Sequence, residues 1–105
     1  MSDGWIKTCN VTDIELEDVM RFDLGERTFA IYRTPDDKFF ATDGLCTHGR
    51  VHLAGGLVMG RTIECPKHNG RFDIITGQAK GAPVCVNLKT YPVKVEGGEV
   101  FLQPG

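Results

Sequence analysis

Nowhere in the 105 residues does an apolar run approach the ~20 positions needed to cross a bilayer. A membrane anchor is therefore not expected. The opening "MSDGWIKTC" has no basic segment leading into an apolar one, so no secretory signal is expected and the cytoplasm is the default location. Positive charge is also short: 12 Lys and Arg against 14 Asp and Glu leave a net charge of -2. That balance gives no footing for nucleic acid or an anionic membrane surface. Sustained helical periodicity, internal repeats, low-complexity tracts and linkers are all missing. Histidine is scarce, with three in the chain, and cysteine numbers four.

The rest describes one soluble globular domain of ordinary size, 41% hydrophobic and 25% charged. Strand signals dominate it. "WIKTC" is short and apolar-rich. "VMRFDL" (Val19 to Leu24) alternates apolar and polar, and "RTFAIYRT" (Arg27 to Thr34) is rich in aromatic and β-branched residues, with Gly25-Glu26 as a hairpin turn between them. Pro35-Asp36-Asp37 reads as a turn leading into the strand "KFFATD". "YPVKVEGGEVFLQ" gives two alternating strands about Gly97-Gly98. "VTDIELED" has room for one helical turn capped by Thr12. Between these flanks, "GLVMG", "TIECP" and "RFDIITG" give three short strands, with a turn at Gly60-Arg61. The expected fold is all-β: a β-sandwich or barrel-like base, residues 1–42 and 84–105, with a smaller loop-rich β insertion at about 43–83.

The softest ligands gather in that insertion. Cys46-Thr47-His48 and Cys65-Pro66-Lys67-His68 form two matched pairs separated by sixteen residues, each followed by a glycine (Gly49, Gly70). Cys9 and Cys85 have no Cys or His nearby and read as buried free thiols. In a reducing compartment a disulfide framework is not expected, and Cys near His points to metal or catalysis. Unrelated core or surface residues explain one Cys or His but not two matched pairs. A structural zinc site accepts Cys₂His₂, although Cys-x-His leaves little slack for gripping one tetrahedral ion. A Cys/His nucleophile, with Asn69 to orient it, leaves the second pair without a role. A Rieske [2Fe-2S] centre, in which two His replace two Cys on one iron, uses all four residues.

The pattern C-x-H-x₁₆-C-x₂-H, the proline after the second Cys, "NGRFD" after the second His, and "GAPVCVNLKTYPVKV" further on resemble the Rieske family. The similarity spans nearly the whole chain and points to the small Rieske ferredoxins of bacterial non-haem iron oxygenase systems. The resemblance implies that Cys46 and Cys65 bind one iron and His48 and His68 the other, in one [2Fe-2S] cluster per chain, with Pro83 in a shielding loop. His52 falls outside the motif and reads as a polar surface residue.

Gly49 and Gly70 are expected to let backbone pass close to the cluster. Gly55-Gly56 reads as a turn. High-potential Rieske proteins carry an inter-loop disulfide and Ser and Tyr hydroxyls near the cluster. The corresponding positions here look like Val51, Lys67, Gly70 and Phe72, which implies a potential near the bottom of the Rieske range, roughly −150 to +300 mV.

An oxygenase catalytic subunit also needs a mononuclear iron held by two His and a carboxylate, and one spare histidine cannot supply it. The resemblance thus implies a one-electron carrier and not an enzyme. Its partners would be an NAD(P)H-dependent flavin reductase and a terminal ring-hydroxylating or O-demethylating oxygenase, with the carrier a monomer and Arg50, Lys67 and Asn69 as docking candidates. Two alternatives stay open: a small relay subunit of a nitrite-reductase-like enzyme, and a zinc-stabilised interaction module.

Overall fold

The computed structural model describes residues 4–47, 51–67, 69–80 and 86–105. Among the described residues, ten strands run in chain order: β1 (Ile6–Asn10), β2 (Asp18–Leu24), β3 (Arg27–Arg33), β4 (Phe39–Asp43), β5 (Leu57–Met59), β6 (Thr62–Glu64), β7 (Arg71–Asp73), β8 (Thr90–Tyr91), β9 (Val93–Glu96) and β10 (Glu99–Leu102). They form three antiparallel sheets, ordered β1-β10-β9, β2-β3-β4-β8 and β5-β6-β7. The all-β expectation is met.

Period-2 alternation explains why the sheets stack. β3 is the exception that joins them, because both its faces are buried. Phe29 and Ile31 face a core with Cys9, Ile14, Ala41, Tyr91, Val100 and Leu102. Ala30 and Tyr32 face the opposite way, into a second core with Leu53, Val58, Ile63, Phe72, Ile74, Leu88 and two of the cysteines. A strand of aromatic and β-branched residues without alternation belongs in the middle of a protein, and β3 sits there. Cys9 is buried and free, as expected; Cys85 lies outside the described residues.

Turn chemistry sets most of the hairpins. Gly97 and Gly98 both take positive φ (57° and 77°), the pair of left-handed residues that a tight two-residue hairpin needs between β9 and β10. Gly25 (φ 61°) and Gly60 (φ 62°) each supply a single left-handed residue to the β2-β3 and β5-β6 turns.

Four details differ from the sequence-based expectation. The helical turn is a 3₁₀ turn at Val11–Asp13 with Asn10, not Thr12, at its N-cap, and the Asn10 N–H donates to Asp13 Oδ2 (2.8 Å). "RFDIITG" stops being a strand at Asp73. There the carboxylate accepts from the N–H of Ile75 (2.8 Å) and Thr76 (2.9 Å) and turns the chain. "YPVKVE" divides at Pro92, with Tyr91 pairing with β4 in one sheet and Val93 opening β9 in another. Proline has no N–H for the ladder, and a sheet change is a natural place for it.

The fourth difference is that Gly55-Gly56 is more than a turn. A Cβ on Gly56 would come within 2.2 Å of the Glu64 carbonyl oxygen, whereas one on Gly55 would meet Pro66 Cγ at an ordinary 3.8 Å.

The two neighbouring glycines therefore separate cleanly. Gly56→Ala forces β6 away next to Cys65 and is expected to destabilise the fold by about 1–3 kcal/mol, while Gly55→Ala changes stability little. Denaturant unfolding of the two variants measures the contrast, and equal midpoints would contradict it.

Candidate metal centre

Two hairpin tips carry the cysteines. The second is the simpler. β6 and β7 pair in register, Glu64 opposite Arg71, and the next pair is closed by the Cys65 N–H donating to the Gly70 carbonyl (2.6 Å). Gly70 is buried at this closure. The first tip has the same closure, with the Cys46 N–H donating to the Val51 carbonyl (2.9 Å). In both, the bond runs from the cysteine to the residue five positions on, so each Cys opens a six-residue loop with its histidine inside.

The stems differ. Below Cys46 the described residues form no regular ladder, and one isolated bridge pairs Leu45 with His52. The Leu53 N–H donates to the Gly44 carbonyl (2.8 Å), and the Gly44 N–H donates to the Thr28 carbonyl (2.9 Å), so the first loop hangs from β3.

Both thiols point inward. Cys46 is 2% and Cys65 0% exposed, and they share one apolar cluster with Leu53, Val58, Ile63, Phe72 and Leu88. Burial pushes the Cys65 thiol above its ordinary value, and the adjacent Cys46 thiol adds to the rise. The Lys67 backbone N–H, directed at the Cys65 sulfur, and the Lys67 ammonium pull the other way. The Cys65 thiol, in an apolar setting beside a second thiol, resists ionisation unless a strong positive charge is placed next to it. That is the condition in which a bound metal deprotonates its thiolate ligands. The donor set present therefore fits an iron–sulfur group.

His48 and His68, the other two candidate ligands, lie outside the described residues, as do Gly49, Arg50 and Pro83. Among the described residues, no three Cys, His, Asp or Glu side chains gather into a further metal-binding group.

Around the tips, Lys67 and Asn69 are exposed. Asn69 takes a left-handed φ of 56°, which asparagine tolerates better than other side-chain-bearing residues. Thr47 Oγ1 donates to the Val86 carbonyl (2.7 Å), fastening the first loop to the segment that returns to the base. That segment ends at β8, where the Tyr91 hydroxyl donates to Asp43 at the end of β4.

His52 needs correction. It is half-buried, with Nε2 2.8 Å from Thr28 Oγ1 and Nδ1 accepting from the Ala54 N–H (3.0 Å). Both ring nitrogens are engaged, so it is a built-in part of the first stem and not a loose surface residue. Its position outside the ligand motif hid this in the sequence; a histidine one residue before an apolar Leu and a Gly-Gly turn was the available signal.

The Rieske [2Fe-2S] domain family matches residues 4–92 of this sequence. The chain belongs to that family. Its cofactor is a [2Fe-2S] cluster. It is 43% identical over 102 residues to the ferredoxin component of the naphthalene 1,2-dioxygenase system of Pseudomonas aeruginosa, covering 97% of both chains. The corresponding component of the 2,4-dinitrotoluene dioxygenase system of Burkholderia sp. (strain RASC) is 37% identical over 103 residues, covering 98% of both.

Among solved structures, the ferredoxin of carbazole 1,9a-dioxygenase from Nocardioides aromaticivorans IC177 matches with a TM-score of 0.91 at 27% identity, over 98% of this chain and 100% of that one. A complex of reduced oxygenase and oxidized ferredoxin in carbazole 1,9a-dioxygenase matches at 0.88 and 35%, over 97% and 94%. A nitrite reductase small subunit matches at 0.77 with 20% identity, over 93% and 96%, a likeness of fold alone. No helix among the described residues is long and apolar enough to cross a membrane.

The Thr47 tether generates an expectation. Thr47→Val removes one hydrogen bond, worth about 0.5–1.5 kcal/mol, between the first loop and residue 86. Amide hydrogen exchange around Leu88 should then accelerate while exchange in β9 and β10 does not. Unchanged exchange at Leu88 would remove the tether from the account.

Proposed function

We propose that this chain is a mobile one-electron carrier, taking electrons from an NAD(P)H-dependent flavin reductase and delivering them to a terminal ring-hydroxylating or O-demethylating oxygenase in the cytoplasm. The observation that carries the reading is the pair of matched hairpin tips, each closed from its cysteine to the fifth residue on, that bury Cys46 and Cys65 side by side. Ferredoxin components of dioxygenase systems, similar along almost their whole length, support the choice of partner.

In this reading residues 43–83 are the cluster-holding insertion. Cys46 and Cys65 hold one iron, and His48 and His68 hold the other. When bound, the cluster supplies one-electron chemistry at a potential set by its net charge and by hydrogen bonds to its sulfurs.

This chain's residues do the rest. Leu53, Val58, Ile63 and Phe72 keep water from the thiolate side. Phe72 is fully buried and brings no hydroxyl, and Gly70 has no side chain, so neither position offers an O–H donor that would favour the reduced form. The potential is accordingly expected near the bottom of the Rieske range of roughly −150 to +300 mV. Exposed Lys67 and Asn69 stand where a partner would meet the tip, and transient redox contacts of this kind are small and weak.

Enzymatic oxygenation by this chain alone is disfavoured by His52. With Nε2 against Thr28 and Nδ1 against Ala54 N–H, it has no free nitrogen for a mononuclear iron.

The purified protein should be reddish-brown, contain two irons and two sulfides per chain, and give a rhombic paramagnetic signal when reduced. Cys46→Ser, Cys65→Ser, His48→Ala and His68→Ala should each abolish that signal. Mixing with NAD(P)H and a flavin reductase should bleach the visible spectrum, and adding the cognate oxygenase and substrate should restore it. A colourless protein holding zinc, or a measured potential well above zero, would overturn the assignment.

A further inference from the structure

The two tips are alike, but their supports are not. The second grows from a regular strand pair. The first rests on one isolated bridge, on the backbone bonds at Gly44, and on side-chain pins that meet at His52. Its ring lies so close to Gly44 that a Cβ there would come within 2.6 Å of Nε2, so imidazole and backbone are fitted to each other at the foot of the loop.

The hydrogen-bond chain fixes the ring's protonation. Thr28 has one hydroxyl proton and gives it to Asp23 Oδ1 (2.6 Å), because an ionised carboxylate can only accept. Towards His52 the same oxygen must therefore accept, which places a proton on Nε2. On the other side the Ala54 N–H points at Nδ1, which must be bare. Two independent contacts require the same neutral tautomer. A second proton, on Nδ1, would set one N–H against another and release the N-cap of the 3₁₀ turn at Leu53–Gly55.

We propose that His52 is a positioning residue for the first ligand loop: in its neutral Nε2–H form it fastens the outgoing arm, residues 51–54, to β3, and protonation unfastens it. This rests on the reading above that the loop carries Cys46 and His48 as ligands.

The ring's surroundings agree in sign. The groups facing it are Arg21 and Asp23 on β2, Thr28 on β3 and the Ala54 N–H. Burial and the Arg21 guanidinium lower the affinity of His52 for a proton, and Asp23 partly opposes them. Arg21 Nε is itself bonded to Asp23 (3.0 Å), which blunts that opposition. A folded-state value depressed below the ordinary 6.5 means the unfolded or opened form binds the proton more readily. The support is therefore complete above 6.5 and is lost as the pH falls below it and through the folded value.

The test uses the cluster-loaded protein and reads loss of visible absorbance with time across the imidazole range. For the native chain the bleaching rate should rise about threefold to tenfold on crossing that range, the factor expected for one lost hydrogen bond. In His52→Asn the side-chain oxygen can still cap Ala54 but cannot titrate, so the rise should vanish and leave only the steeper loss at lower pH, where the ligands themselves protonate. In Thr28→Val the rise should persist on a faster neutral-pH baseline, because His52 still titrates but has lost one of its two anchors.

If His52→Asn shows the native rise, the inference is overturned. Should that variant fail to load its cluster, native-chain hydrogen exchange over residues 44–56 decides. Protection that falls on crossing the same range supports the pin, and protection that stays constant sinks it. Absence of iron and sulfide from the native protein would instead sink the carrier reading, and the exchange measurement would still judge His52 on the chain as purified.

Discussion

The structure depends on how two loops are closed. A Cys donating its own N–H to a carbonyl five residues on turns the strand end into a ring of backbone that aims the thiol inward. Done once, this is an ordinary hairpin tip. Done twice around one apolar cluster, it brings Cys46 and Cys65 together in a place water does not reach. Burial holds the Cys65 thiol back from ionising, and a positive ion between the two sulfurs becomes the natural partner. The β base serves this closure. β3, buried on both faces, carries one core on Phe29 and Ile31 and supports the cysteine cluster through Ala30 and Tyr32.

The fold was largely legible where one physical rule acted alone. Alternation gave β2, β9 and β10, and the glycines at 25, 60, 97 and 98 marked turns because positive φ is cheap only for them. The two Cys/His pairs stood out for a different reason. Metal chemistry tolerates few residue types at few spacings, so Cys46, His48, Cys65 and His68 could be named as candidate ligands without any knowledge of strands, and of these the structure describes the two cysteines, buried together.

The failures came where a side chain outvoted the local pattern. The Asp73 carboxylate collected two backbone N–H groups and ended a strand that Ile74 and Ile75 would have continued. Pro92 moved a strand from one sheet to another. His52 gave only a faint sequence signal: its local partner is the Ala54 N–H, while Thr28, which holds its other ring nitrogen, is distant along the chain and nothing in the spacing joins them. Gly56 was misread because the need for it lies in a carbonyl eight positions further on, at Glu64.

The unequal supports of the two tips bear on how such a carrier can work. A redox centre that must meet two partners in turn needs an accessible tip, and accessibility leaves little room for a deep core around it. The second loop solves this with covalent continuity: β6 and β7 run straight into it, and the apolar side chains of Ile63 and Phe72 anchor both arms. Among the described residues the first loop has no such strands. Its incoming arm follows β4 directly, while its outgoing arm is held by Leu53, buried in the cluster, and by the polar chain from Asp23 through Thr28 to His52. Apolar burial is indifferent to pH, whereas a hydrogen bond accepted by a bare imidazole nitrogen is not. The two ligand loops thus answer to different variables, the second to packing and the first to packing and proton activity together. On the ligand assignment proposed above, any loosening of the centre should therefore begin at the first loop and not at the second.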